Sequence, residues 1–189
     1  MAKATRPASK SLALPHDVIR DVRDVVYTGG AVDAELLLVE RDEIVVTARH
    51  LSAYPGGFAF VLHIWLSEPD DDLFEVTETL WHNPRRGGGR DRTNVHVTVE
   101  LPDGTSLTGS YNGKRADEPG LELYSSSGHP DHFEGELVAC VAAPDTGPVT
   151  IVFDWPAREI VGARASIDGA RMSEAARRAQ PLFAVADRA

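Results

Sequence analysis

The stretch GFAFVLHIWL, residues 57–66, decides the fold of this chain. Successive side chains of an extended strand point to opposite faces of a sheet. One face of this stretch carries the large apolar side chains of Phe58, Phe60, Leu62, Ile64 and Leu66. The opposite face carries Ala59, Val61, His63 and Trp65. Because both faces are largely apolar, the stretch predicts a central strand with two covers. One is an opposing sheet, and the other is a helix, the N-terminal arm or a partner chain.

Short apolar or alternating runs recur around this strand, separated by Gly, Pro, Asp and Asn. NVHVTVEL (94–101) and PVTIVFDW (148–155) alternate apolar and polar residues, which is typical of strands with one wet face. The pair Asp103-Gly104 predicts a hairpin turn after the first of these runs. The series predicts an all-β fold, an antiparallel β-sandwich of roughly ten strands. Immunoglobulin-like and jelly-roll topologies are the variants.

One helix is predicted after the strands, over about residues 169–180. Asp168 precedes it and has the side chain of an N-cap, since a carboxylate can accept a hydrogen bond from a free N–H of the first turn. Glu174 and Arg178 are spaced to form an i,i+4 ion pair on its surface.

The length of 189 residues indicates one domain. We predict a flexible basic arm over 1–14, followed by a single β-sandwich domain over 15–189. The single cysteine, Cys140, excludes an internal disulfide and suits a reducing compartment, and no segment reads as a secretory signal. A cytoplasmic protein is therefore predicted. The formal charge of -10 argues against nucleic acid or an anionic membrane as partner, because both attract Lys and Arg.

The stretch GHPDHFE (128–134) is the clearest candidate for a metal site. Two histidines three apart share a metal only where the backbone between them turns, and Pro130 permits a turn. Zinc needs three or four ligands, however, and no neighbouring residue has a spacing that completes the set. A polar turn before the next strand explains the stretch equally well, so we predict a turn and no cofactor. The metal alternative would use His129, Asp131 and His132.

Four aromatic and histidine residues are the other candidates for a site. Trp81 and His82 directly precede the glycine-rich basic stretch RRGGGRDR (85–92), and with His63 and Trp65 they would line a cleft if the fold brings them together. The serines before His129 lack the G-x-S-x-G context of a nucleophile, so no catalytic residue is predicted.

These observations predict a non-catalytic protein-interaction or self-assembling module, with a protein partner or its own copy as ligand. The predicted contact surface is the second apolar face of the central strand, Ala59, Val61, His63 and Trp65. The alternative is a ligand-binding or hydrolytic domain that uses the face lined by histidine and tryptophan.

Three stretches carry a family resemblance: LSAYPGGFAFVL (51–62), GPVTIVFDWPAREI (147–160) and EAARRAQPLF (174–183). Together they resemble a family of uncharacterised proteins from high-GC actinomycetes. Its pattern is A-Y-P-x-G-F, then G-P-[VL]-T-[FIV]-V-x-[ED]-W-P, then P-L-[WF]. The chain departs from the family at 130–146, where PDHFEGELVACVAAPDT replaces a proline- and tryptophan-rich segment. The resemblance implies an all-β fold and brings no established activity.

Overall fold

Antiparallel sheets dominate a computed structural model of the chain, which describes residues 18–20, 26–70, 73, 95–108 and 120–182. Along the chain the strands are β1 (Val18–Arg20), β2 (Val26–Thr28), β3 (Gly30–Ala31), β4 (Leu36–Arg41), β5 (Ile44–Tyr54), β6 (Gly57–Leu66), β7 (His96–Glu100), β8 (Ser106–Thr108), β9 (Leu121–His129), β10 (His132–Ala139), β11 (Pro148–Trp155), β12 (Ile160–Asp168) and β13 (Gln180–Pro181). The helix α1 is Gly169–Arg178. The predicted all-β sandwich with a C-terminal helix is confirmed. The surplus over ten strands comes from pieces of two or three residues, which are too short to show a period in the sequence.

The central sheet has six strands, in the order β3-β5-β6-β10-β9, with β4 paired beside β3 on β5. β6 lies in its middle, paired along its length with β5 on one side and β10 on the other. The predicted central strand is therefore in place. A second sheet has the order β12-β11-β7-β8.

The inner faces of these two sheets share one hydrophobic core. β6 contributes Phe58, Phe60, Leu62 and Ile64, and β11 contributes Val149, Ile151, Phe153 and Trp155. The outer face of the second sheet is polar, as the alternation in β7 and β11 predicts; there the Thr150 and Ser166 hydroxyl groups hydrogen-bond at 2.8 Å. The two sheets thus differ: the second sheet has one polar outer face, whereas on β6 only Trp65 is exposed.

Helix α1 begins as predicted, with the Asp168 carboxylate accepting a hydrogen bond from the Ala170 N–H at 3.0 Å. It ends at Arg178, two residues before the predicted end, because a residue before proline disfavours helical backbone and Pro181 follows Gln180. The helix packs against β3 at Gly30. A Cβ atom there would lie 1.8 Å from the carbonyl oxygen of Ala175, so only glycine allows this approach.

A small third sheet, in the order β1-β2-β13, lies beside the central sheet. Tyr27 of β2 and Ala179, which follows the helix, pack against Tyr54, Ala59 and Val138 on the outer face of the central sheet. The chain itself therefore covers one end of the second face of β6.

The first prediction concerns Trp155, which is 2% exposed in the core. We expect Trp155→Ala to lower the free energy of unfolding by about 3–5 kcal/mol, measured by urea denaturation. The matched control is Trp65→Ala, which deletes the same side chain from a position that is 42% exposed. That variant should lose about 1 kcal/mol. Equal losses in the two variants would contradict the register of β11.

Candidate functional site

The outer face of the central sheet, on the side away from the core, holds most of the predicted site residues. Residues paired across antiparallel strands point to the same face. His63 pairs with Thr47 of β5 and Glu134 of β10, so these three side chains form one row across the sheet. The next row places Trp65 beside His132, which in turn pairs with His129 of β9.

Five rings follow one another over this face, and we call them the aromatic row: His50, His63, Trp65, His132 and His129. Their successive centroids are 6.2, 6.4, 5.0 and 4.6 Å apart. All but the first pair are nearly parallel. The imidazole of His63 is buried, whereas those at the two ends of the row, His50 and His129, are exposed. Trp65 is 42% exposed.

The residues predicted on the second face of β6 differ in exposure. Ala59, Val61 and His63 are only 2%, 5% and 6% exposed within the single chain, and their role as contact residues stays a prediction. The sequence could not reveal this, because the residues that bury a sheet face are distant in sequence. Of the four residues predicted on β6, only Trp65 is accessible. Trp81 and His82 lie outside the described residues, and their place in a cleft stays a prediction.

The H-x-x-H stretch forms the predicted turn, because Pro130 and Asp131 are the two loop residues between β9 and β10. His129 and His132 flank it with their rings only 15° from parallel. Parallel rings hold their nitrogen lone pairs in separate planes, so this arrangement does not converge on one ion. The nearest polar contact is instead 3.1 Å, between Nδ1 of His132 and Oδ1 of Asp131. That hydrogen bond is the main reason why the pKa of Asp131 is lowered.

Across the described ranges, no group of three or more His, Cys, Asp or Glu is arranged to hold a metal ion. A metal role for His129, Asp131 and His132 stays an untested prediction.

The sequence did not point to a set of buried polar atoms on this face. Within the described part of the chain, four buried side-chain atoms make no hydrogen bond: Thr47 Oγ1, Ser52 Oγ and both ring nitrogens of His63. Nδ1 of His63 does lie 3.2 Å from Oε1 of Glu134, but without hydrogen-bond geometry. Buried polar atoms are normally paired, so their concentration on two adjacent strands marks this face as unusual.

The electrostatics of His63 follow from this placement. Burial lowers the pKa of the His63 imidazole, and the neighbouring Glu134 carboxylate offsets part of the effect. Arg49 and His50 lower the pKa further, because positive charge nearby disfavours the imidazolium ion.

A cleft of about 680 Å³ opens between residues 29–35 and 49–52. Ser52 lines the cleft. Arg49 and Glu35 also line it, and they form an ion pair with 2.6 Å between Nη2 of Arg49 and Oε1 of Glu35. The strand pairing shifts between Arg49 and Ser52, and His50 takes a left-handed backbone with φ 50°. This bulge shapes the cleft, and no motif in the sequence predicts the bulge.

Compared with protein-family models, with curated proteins and with solved structures, the chain shows no significant match in any of the three. The resemblance to the actinomycete family therefore stays a prediction. Among the described residues, no helix combines the length and apolar character needed to span a bilayer.

The second prediction uses the lowered pKa of His63. The unfolded chain binds a proton at this residue near pH 6.5, whereas the folded chain binds it only at lower pH. The stability contributed by neutral His63 is therefore complete above that pH and is lost as the pH falls below it. His63→Leu removes the titrating group and both unpaired nitrogens. We expect this variant to lie within about 1 kcal/mol of wild type at pH 8 and to be the more stable protein at pH 5. Parallel stability curves, measured by urea denaturation over this range, would contradict the expectation.

The third prediction concerns metal. We expect thermal melts with and without a chelator to coincide. A specific metal at 100 times its dissociation constant would add about 2.7 kcal/mol of stability, and chelation would remove it. The opposite result would be a lower melting temperature in chelator for wild type, with no effect of chelator on His132→Ala. That result would assign a metal to the β9–β10 turn.

Proposed function

We propose that this protein is a non-catalytic protein-interaction module of the cytoplasm, which binds a protein partner or its own copy. Its contact surface is the exposed end of the aromatic row, which we call the Trp65 patch: Trp65, His132 and His129. The observation that carries the proposal is the state of Trp65, which is 42% exposed on a sheet face that is otherwise largely buried along β6.

A half-exposed tryptophan in a row of rings has the properties of a binding hot spot. Tryptophan is enriched at the centres of protein interfaces, where its large area is desolvated. The nearly parallel ring of His132, 5.0 Å away, restricts the rotamers of Trp65 before any partner arrives. Less conformational entropy is then lost on binding. Leu37 adds a further exposed apolar side chain on the same face, since it pairs with Thr47.

The hydrogen-bond pattern favours a non-catalytic role. A nucleophile and its base lie within hydrogen-bond reach of one another. The buried hydroxyl groups of Thr47 and Ser52 and the ring of His63 make no such bond. The single cysteine supports the cytoplasmic compartment, and the acidic charge supports a partner other than nucleic acid.

A second candidate function is the binding of a small molecule in the cleft between residues 29–35 and 49–52. The observation that favours it is Ser52, whose buried hydroxyl lacks a partner and lines this cleft. A metabolite panel in a thermal-shift assay tests it. A ligand that stabilises wild type and not Ser52→Ala would favour this function over the first.

The fourth prediction tests the contact surface. In sedimentation velocity at micromolar concentrations, wild type should form a concentration-dependent assembly, and Trp65→Glu should abolish it by placing a charge at the contact. The matched control is Val161→Glu, at a position that is 78% exposed on β12 of the second sheet. This variant should assemble as wild type does, and circular dichroism should show that both variants are folded.

A monomeric wild type would contradict self-assembly. An assembly that survives Trp65→Glu would contradict the choice of surface.

A further inference from the structure

The Trp65 patch lies at an end of the central sheet where three connections meet. The β4–β5 turn, the segment after β6 and the β9–β10 turn are held together by backbone hydrogen bonds. The Leu66 N–H donates to the Asp131 carbonyl at 2.8 Å, and the Ser67 N–H donates to the Glu43 carbonyl at 3.1 Å. The Asp70 N–H donates to the Pro130 carbonyl at 2.7 Å. These bonds hold the backbones of the three connections together at the end of β6 that carries Trp65.

The connections bring together an excess of negative charge. Among the described residues of these three connections, the charged side chains are the carboxylates of Asp42, Glu43, Glu68, Asp70 and Asp131. Outside the connections, Glu40 and Arg41 end β4, and Arg158 and Glu159 lie between β11 and β12. Both guanidinium groups make internal contacts: Arg158 pairs with Asp70, and Arg41 donates to the carbonyls of Arg158 and Glu159 at 3.1 and 3.0 Å. The exposed carboxylates of Asp42, Glu43 and Glu68 have no ion pair within the described part of the chain.

We infer that the Trp65 patch binds an arginine-bearing segment of another protein chain, an inference that rests on the proposed function. A guanidinium group is attracted to the face of an indole and stacks on it. The carboxylates of the three connections supply the complementary charge and accept its N–H donors. An acidic or phosphorylated partner would instead meet a field of its own sign.

The charge pattern of the whole sequence fits this occupant. The stretch RRGGGRDR at 85–92 carries four arginines against one aspartate, in a chain whose net charge is -10. A second copy therefore contains a segment of the required chemistry, and its sequence provides a defined probe. A peptide in which citrulline replaces every arginine keeps the shape and hydrogen-bonding groups of the probe but lacks its positive charges.

The test is the fluorescence anisotropy of labelled RRGGGRDR peptide titrated with the full-length protein. We expect saturable binding that weakens as salt increases, because exposed charges are screened. Trp65→Ala should weaken binding about tenfold, through loss of the cation–π contact and its packing. The double variant Glu43→Gln and Glu68→Gln should weaken it at low salt and much less at high salt. Val161→Ala, on the second sheet, should bind as wild type does.

The inference is overturned if the citrulline peptide binds equally well, or if Trp65→Ala leaves the affinity unchanged in a folded variant.

Failure of the inference is distinguishable from failure of the proposed function. A Trp65-dependent assembly that neither binds RRGGGRDR nor is dissociated by it leaves the contact surface in place and removes only the cationic partner. An assembly that is independent of Trp65 removes the proposed function itself.

Discussion

The pairing of β6 between β5 and β10 holds the central sheet together, and every residue of β6 except Trp65 is buried there. On the inner face, Phe58, Phe60, Leu62 and Ile64 meet the apolar residues of β11, so the two sheets pack as a sandwich. Among the described residues, no second large sheet covers the outer face. The chain closes part of this face with a small sheet and the end of its helix, through Tyr27 and Ala179.

The outer face therefore changes character along β6, and the proposed function rests on this change. At Ala59 it is closed by apolar packing, and at His63 it is buried but polar, beside unpaired hydroxyl groups on β5. At Trp65 it is exposed, near the end of the sheet where three connections are joined by backbone hydrogen bonds. The paired strands and the neighbouring ring restrict the Trp65 side chain, so little conformational entropy is lost when a partner binds.

Much of this fold is predictable because its signals are local. The alternation of PVTIVFDW and the apolar run of β6 each depend on a few neighbouring residues, as does the N-cap at Asp168, and all three are present as predicted. Which parts of the outer face are covered depends on Tyr27 and Ala179, which pack there from positions far away in sequence. Composition and period contain no information about that contact.

The candidate site was predictable only in part, for the same reason. The sequence singles out His63, Trp65 and the pair His129 and His132, but strand register is what joins them into one row. Ser52 carries no motif, and the bulge that brings it to the cleft depends on a shift in pairing between β5 and β6. The excess of carboxylates near Trp65 likewise comes from three connections that are separated along the chain.

Native-state hydrogen exchange tests the central role of β6 most directly. If the fold depends on this strand, the amides from Phe60 to Ile64 exchange only when the whole domain unfolds. Their opening free energy should then equal the unfolding free energy obtained from urea denaturation. The amides of Ser125 to Ser127 in β9, at the edge of the central sheet, should exchange at lower free energies through local opening. Exchange of the β6 amides as fast as those of β9 would contradict this account.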